Sequence, residues 1–322
     1  MRRTTAIALG CAIVLAPAMA LGQGYPGKPI RVVVPFAPGG GVDLTARLIT
    51  QRMQASLGQA LIIDNRGGAA GQIGEEIVSK APADGYNLLY GVGSDMSLRQ
   101  FISKNPQLDP VKDFTPIATA VGTVSIIAGG PTTPGATLKD VITFARNNPG
   151  KITYGTAGVA SYQHLIGEVL KQNGVDMVHV PFKGLAPALQ ALVAGQIELS
   201  ITNFATSIAQ INAGKARALA VLEPRRYEAV SGVPALSEEV PGFSMPTTWF
   251  GFFGPAGLPQ PIVARLNADV SRAVESPEIA PKLRELYVRT IHTPPEQMTA
   301  LIASTTEAFG RIVKASGIKP LD

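Results

Sequence analysis

Two glycine-rich loops carry residue types whose pattern could bind an anion in this 322-residue chain. The first, residues 35–43, follows an apolar, β-branched run at 30–34 and opens a helical pattern that Gly58 ends. The second, residues 155–161, stands in the same way between a predicted strand and a predicted helix. Helix N-termini offer unpaired amide groups and the positive end of a dipole, so each loop could hold a small carboxylate.

Three interpretations of the first loop differ in what it binds. It lacks the G-x-G-x-x-G spacing of a dinucleotide fold and the Lys-Ser/Thr end of a nucleotide-triphosphate loop, which argues against a nucleotide. A purely structural turn and a carboxylate cradle made of backbone amides both fit its residues. The loop alone does not decide between these two.

Residue types that support catalysis or metal binding are scarce. The three histidines, His164, His179 and His292, lack metal-ligand spacing, and no G-x-S-x-G motif is present. We therefore expect no catalytic residue, no metal, no cofactor and no enzymatic activity. A hydrolase acting through Ser161 and His164 is the catalytic alternative, although the sequence offers no obvious acid to orient the histidine.

Residues 1–22 have the pattern of an export signal, with Arg2 and Arg3 before an apolar stretch and a small-residue cleavage site. The apolar stretch, residues 6–15, is shorter than a bilayer-spanning helix. A lipoprotein signal at Cys11, the single cysteine, is the alternative. Without Arg2 and Arg3, the 28 basic residues fall to 26 against 23 acidic residues, a balance that does not argue for nucleic acid. We expect a periplasmic protein.

Strand and helix patterns alternate along the mature chain, which predicts an α/β fold with parallel sheets and right-handed crossovers. Ligands in such sheets lie beyond the carboxyl ends of the strands. We expect two lobes, residues 23–122 with 249–322 and residues 123–248, joined by hinges near Gly122 and residues 246–249. Predicted strands lie at 30–34, 61–64, 88–92, 152–154, 177–180, 197–201, 218–222 and 247–253, and predicted helices at 138–147, 187–194, 262–274, 278–286 and 295–315.

A set of short motifs follows in order along the mature chain. They are YP at 25–26, KPIRVVVPF at 28–36, GG at 39–40, DNRGGA at 64–69, DGY at 84–86, DFTP at 113–116, NPGK at 148–151, YGTAG at 154–158, VPFKG at 180–184, GKARALAV at 214–221 and WFG at 249–251. Each motif is a weak signal, but the ordered set is specific. It resembles the solute receptors of tripartite tricarboxylate transporters, also called Bug or TctC-like proteins.

The resemblance implies a type II-like, two-lobed periplasmic binding protein, in which each lobe is a mostly parallel sheet flanked by helices and two strands cross between lobes. It implies a monomer that captures a di- or tricarboxylate or an aromatic carboxylate in the interlobe cleft. Membrane permease subunits are the implied protein partners. A receptor fold reused for sensing or for surface interaction is the alternative.

The family holds a ligand carboxylate mainly by backbone amides and water from the two loops, and neither loop here contains lysine or arginine. The matching positions are Phe36, Ala37, Gly40, Gly41 and Val42 in the first loop, and Thr156, Gly158, Ala160 and Ser161 in the second. We expect Gly41 to need a positive φ or close approach to the ligand. Asp43 is expected to favour the first helical turn rather than touch the ligand.

Five side chains outside these loop positions are further ligand-binding candidates. Ser94 and Asp95 follow the third strand; Asp95 either accepts from a ligand hydroxyl, amine or ring N–H or is an exposed loop carboxylate. His164 either donates to the ligand or packs beneath the second loop. Lys183 either neutralises a second ligand carboxylate or is solvated at the cleft rim. Asn203 follows the strand at 197–201.

Overall fold

The computed structural model of the protein describes residues 24–321, so the predicted export signal and its cysteine lie outside the described residues. The first of two sheets has the strand order β11-β4-β10-β3-β1-β2. Its strands β1, β2 and β3 are parallel, whereas β10 runs against both β3 and β4. The strands are β1 (Ile30–Val34), β2 (Leu61–Asn65), β3 (Asn87–Val92), β4 (Phe114–Thr123), β10 (Thr248–Pro255) and β11 (Val288–Thr290).

The second sheet has the order β7-β6-β8-β5-β9, with β5 running against β8 and β9. Its other pairs, β6 with β7 and β6 with β8, are parallel. The strands are β5 (Ser125–Gly129), β6 (Thr153–Thr156), β7 (Val178–Pro181), β8 (Leu199–Asn203) and β9 (Arg217–Val221). Together the sheets form the expected two-lobed α/β fold, in which β10 and β11 of the first sheet and β5 of the second are antiparallel to their neighbours.

Helices cover the faces of both sheets and begin at the carboxyl ends of several strands. They are α1 (Gly41–Leu57), α2 (Gln72–Ser79), α3 (Gly93–Ile102), α4 (Leu138–Asn147), α5 (Tyr162–Gln172), α6 (Leu185–Val193), α7 (Phe204–Asn212), α8 (Gln260–Val274), α9 (Ala280–Glu285) and α10 (Pro295–Ser316). No helix in the described part of the chain is both long and apolar enough to cross a membrane.

Local signals set two helix ends, of which the first was identified from the sequence. Gly58 ends α1 in a left-handed conformation, with φ of 67°. Thr137 and Asp140 form a reciprocal capping box at the start of α4. These features depend on neighbouring residues alone, which explains why α4 was predicted to the residue.

Three elements were not predicted. Helix α3 follows β3 without an intervening turn, α7 follows β8 in the same way, and β11 has three residues. The segment Ser94–Met96, expected to be a loop, is therefore the first turn of α3. Tertiary packing stabilises this helix, since Leu98 and Ile102 are buried in one hydrophobic cluster with Phe309 of α10.

The chain passes between the sheets where β4 ends at Thr123 and β5 begins at Ser125. Gly122, the predicted hinge residue, is paired with both Trp249 of β10 and Arg289 of β11. Rotation at Gly122 would break both ladders, so Val124, between the two strands, is the better hinge candidate. The lobe boundaries and the hinge stay predictions.

Candidate functional site

A cavity lies between the two sheets, beyond the carboxyl ends of β1, β3, β6 and β8. We call it the central cavity. It is lined by Phe36, Ala37, Gly40, Gly41, Val42, Asp43, Val92, Asp95, Ala157, Gln163, Leu185, Asn203, Thr248 and Phe250. The position is the one that open α/β sheets use for ligands.

The first loop presents the N-terminus of α1 to this cavity. Gly39 takes the positive φ of 85°, and Gly40 is the N-cap residue with an extended backbone. The amide groups of Gly40, Val42 and Asp43 have no hydrogen-bond acceptor among the described residues. This end of α1 therefore has donors available for an anion, as a carboxylate cradle requires.

Asp43 lines the cavity, but its carboxylate is fully engaged by the protein. It accepts from the Gly39 amide (3.0 Å), from Arg47 Nε (3.0 and 3.1 Å) and from Asn65 Nδ2 (3.0 Å). Burial raises the pKa of Asp43, but these hydrogen bonds outweigh it and hold the pKa below its ordinary value. As expected, Asp43 stabilises the loop and first turn.

The same loop contacts the second sheet's helices directly. The Ala37 amide donates to the Lys183 carbonyl (3.1 Å), and the Gly41 amide donates to Thr206 Oγ1 (2.9 Å). Helix α1 thus faces the N-termini of α6 and α7, not only that of α5. The two lobes are in contact across the cleft.

The expectation of a positive φ at Gly41 is wrong, because Gly41 is the first right-handed residue of α1. Its lack of a side chain matters for another reason. A Cβ atom there would lie 2.8 Å from Asn203 Oδ1 and 2.9 Å from Ala205 Cβ. The close approach is between the two lobes.

The second loop is held together by its own hydrogen bonds. Thr156 Oγ1 bonds to the Gly158 amide (3.1 Å) and to His179 Nε2 (2.6 Å), so its hydroxyl is not directed at the cavity. Ser161 caps α5, accepting from the His164 amide (3.2 Å) and donating to the Gly158 carbonyl (2.8 Å). Ala160 takes a left-handed φ of 60°. Only Ala157 of this loop lines the central cavity.

His164 packs beneath the second loop and does not reach the cavity. Its Nδ1 accepts from the Ala160 amide (3.2 Å), and its ring stacks on His179 at 3.7 Å between centroids. Burial lowers the pKa of His164 to about 4. The pKa of His179 is lowered to about 3, mainly by burial and further by the neighbouring His164. Ser161 Oγ bonds to backbone groups and not to the His164 ring, so the nucleophile–base pair of a hydrolase is not formed.

Asp95 is a buried carboxylate of the central cavity, not an exposed loop carboxylate. It is 2% exposed, and its Oδ1 accepts from the amide of Tyr162 at the start of α5 (2.7 Å). Burial raises the pKa of Asp95 to about 7, and Glu75 adds to this, while the Tyr162 amide and Arg99 oppose it. Ser94 is fully buried and does not line the cavity.

The two remaining candidates differ in position. Lys183 is exposed, and its contact with the first loop is made by its carbonyl oxygen. Asn203 lines the cavity as the N-cap of α7, with Oδ1 accepting from both the amide and the hydroxyl of Thr206 (2.9 Å each). Thus Lys183 does not line the central cavity, and the Asn203 side chain caps the start of α7.

Sequence reasoning missed several residues that line the cavity, above all Gln163. This side chain is 6% exposed, and its Oε1 has no hydrogen-bond partner in the described structure. Thr248 and Phe250 were also missed, although they alternate on β10, the period of residues that share one face of a strand. Trp249 points to the opposite face and packs in a hydrophobic cluster. No group of three or more metal-ligating side chains was found among residues 24–321.

The family model for the tripartite tricarboxylate transporter family receptor matches residues 45–318. The chain belongs to this family. A relative from Pseudomonas sp. strain P51, named for the tcbD-tcbE intergenic region, is 34% identical over 90% of this chain and 86% of its own. The predicted family is therefore confirmed.

Solved structures of similar proteins support the family's fold. A protein from R. palustris, solved with adipate, is 33% identical and superposes with a TM-score of 0.87, covering 92% of this chain and all of its own. MatC from Rhodopseudomonas palustris, solved with malate, is 31% identical with a TM-score of 0.84, covering 90% of this chain and all of its own. The family receptors are periplasmic solute-binding proteins, and the predicted fold class is confirmed.

Proposed function

We propose that this family member is an extracytoplasmic receptor that binds one small carboxylate in the central cavity. The observation that carries the proposal is the N-terminus of α1, where Gly40, Val42 and Asp43 line the cavity and their amides have no acceptor among the described residues. Amide groups that converge at a helix N-terminus bind anions without a cationic side chain. Two similar structures, solved with adipate and with malate, are consistent with this ligand class.

The receptor delivers its ligand to the permease of a tripartite tricarboxylate-type transporter. The family description supports this step. Contacts between the first loop and the α6 and α7 N-termini exist only when the lobes are close together, so closure gives the permease a means to distinguish loaded from empty receptor.

Ligand binding tests the receptor function directly. Mature protein shown to be folded and ligand-free would be screened by thermal shift and calorimetry against mono-, di- and tricarboxylates and aromatic carboxylates. A ligand at a hundred times its dissociation constant adds about 2.7 kcal/mol to the free energy of unfolding. If no carboxylate raises the melting temperature, the proposed function is wrong.

Export and delivery need separate tests in cells. Mass spectrometry of the periplasmic fraction is expected to find a mature N-terminus produced by cleavage after residue 20 or residue 22. Deletion of the gene is expected to abolish uptake of the identified ligand, and the intact gene to restore it. Unchanged uptake in the deletion strain would contradict the transport role and leave ligand binding intact.

A further inference from the structure

The polar groups of the central cavity are divided between its two ends. The α1 end offers amide donors, whereas the end formed by α3 and α5 offers acceptors. There, Asp95 Oδ1 is bound by the Tyr162 amide, while Oδ2 has no partner among the described residues. Gln163, the next residue of α5, lines the cavity and has its buried Oε1 unpaired in the same part of the chain. A buried acceptor without a donor is costly, so Gln163 Oε1 calls for a donor from the ligand, and the Asp95 carboxylate beside it can accept from the same donor.

The charge of the cavity lining is negative. Its charged residues are Asp43 and Asp95, and no lysine or arginine lines it. Asp43 is neutralised by Arg47. Arg99, the cation that lowers the pKa of Asp95, binds Glu75 in a buried ion pair and the Ala70 carbonyl through its terminal nitrogens, and its Nε is left without an acceptor among the described residues. Asp95 is therefore the least compensated charge of the cavity.

A second ligand carboxylate at this end would meet Asp95 in a buried site where the neighbouring cation, Arg99, is already paired with Glu75. Like charges in such a site raise the cost of ionising both groups. An ammonium or amide N–H group at the same place would satisfy Oδ2 and Gln163 and reduce the charge imbalance.

We propose that Asp95 and Gln163 form a subsite that selects a carboxylate ligand carrying an N–H donor, either ammonium or amide, at its other end. This inference rests on the proposed carboxylate receptor and narrows its ligand class. The ligand carboxylate binds the amides at the start of α1. Its N–H group donates to Asp95 Oδ2 and to the Gln163 side chain.

Probe series matched in length, which differ in the terminal group, test the subsite. Calorimetry would compare succinate, succinamate and γ-aminobutyrate, and then adipate, adipamate and ε-aminocaproate. We expect the amide or ammonium member of a series to bind at least about tenfold more tightly than its dicarboxylate, the equivalent of about 1.4 kcal/mol. If the dicarboxylate binds as well or better in every series, the subsite is wrong while the carboxylate receptor stands.

Proton exchange provides an independent readout near pH 7, where Asp95 is partly protonated in a field set by Glu75, Arg99 and the Tyr162 amide. An N–H donor favours the ionised carboxylate, so binding is expected to release protons, measured from the heats in buffers of different ionisation enthalpy. Proton uptake would contradict the subsite. If none of the probes binds while another carboxylate in the wider screen does, this inference fails and the receptor function stands.

Two substitutions assign the preference to the subsite. Asp95→Asn retains an acceptor for the Tyr162 amide and is expected to reduce the N–H preference at least about tenfold and to abolish the proton release. Gln163→Met, of similar length, is expected to weaken the N–H ligand without affecting proton release. Asp176→Asn, a partly exposed carboxylate outside the cavity, is the control. An unchanged preference in Asp95→Asn would overturn the proposal.

Discussion

Gly41→Ala is expected to weaken ligand binding by preventing close approach of the two lobes. The new methyl group would lie 2.8 Å from Asn203 Oδ1 and 2.9 Å from Ala205 Cβ, distances that van der Waals contact does not allow. Both neighbours lie at the start of α7, which Asn203 caps. Helix α1 must therefore withdraw from α7, and the Gly41 amide loses its acceptor, Thr206 Oγ1.

The magnitude follows from these two effects on the closed conformation. Overpacking a well-packed contact costs about 1–3 kcal/mol, and losing one neutral hydrogen bond costs about 0.5–1.5 kcal/mol. A total of about 2–4 kcal/mol corresponds to a loss of affinity of about 30-fold to 1000-fold if the ligand binds only the closed conformation. The open conformation accommodates the methyl, so the unfolding free energy without ligand should change by less than about 1 kcal/mol.

Gly232→Ala is the control, at a glycine that does not line the central cavity. A Cβ atom there would have no heavy atom within 4 Å, so the methyl group fits without moving either lobe. Calorimetry with one identified ligand would compare the affinities, and small-angle scattering would compare the radius of gyration with and without ligand. Affinity of Gly41→Ala equal to that of wild type would refute the role of this contact in closure.

Three further predictions concern other parts of the site. His164→Gln should reduce the loss of unfolding free energy on acidification by up to about 1 kcal/mol per pH unit between about pH 6.5 and pH 5, as measured by denaturant unfolding. The reason is that the pKa of His164 is lower in the folded than in the unfolded state, so the unfolded state takes up the proton first. Glu75→Gln should destabilise the fold by about 3–5 kcal/mol, since it leaves the buried Arg99 guanidinium without its charge partner. Lys183→Ala should change affinity for any carboxylate by less than about twofold, because the lysine is exposed and does not line the central cavity.

Each of these has a control or a contradicting result. For His164, an unchanged slope in the variant would show that the histidine is protonated as readily in the folded as in the unfolded chain. For Glu75, the control is Glu238→Gln, whose exposed pair with Arg226 should contribute less than about 1 kcal/mol. Loss of dicarboxylate binding in Lys183→Ala would contradict this prediction and show that the lysine contributes to ligand binding.

The alternation of strands and helices could be predicted because its signals are local. The buried run of β1, the glycine that ends α1 and the capping box of α4 depend on residues close in sequence. The order of short motifs along the chain then identified the family and, with it, the two-lobed fold. Helices α3 and α7 were missed, because each begins directly after a strand without a turn signal.

Site geometry depended on the tertiary structure, because its contacts join residues far apart in sequence. The first loop was expected at the ligand, and its amides line the central cavity. The requirement for glycine at position 41, however, comes from α7, which lies against it. The contacting residues Gly41 and Thr206 are 165 residues apart, so no local sequence pattern could predict their contact. The position of its amide partner, Thr206, depends on how the lobes approach one another.

The charge state and accessibility of polar side chains were likewise decided by packing. From the sequence, Asp95 could be an exposed loop carboxylate or a ligand acceptor, and Thr156 could face the ligand. Burial between α3 and α5 makes Asp95 a weakly compensated acceptor, whereas His179, from a neighbouring strand, takes the Thr156 hydroxyl. Residue types determined which groups could bind a carboxylate; solvent exclusion and contacts between distant segments determined which groups have free hydrogen-bonding capacity to do so.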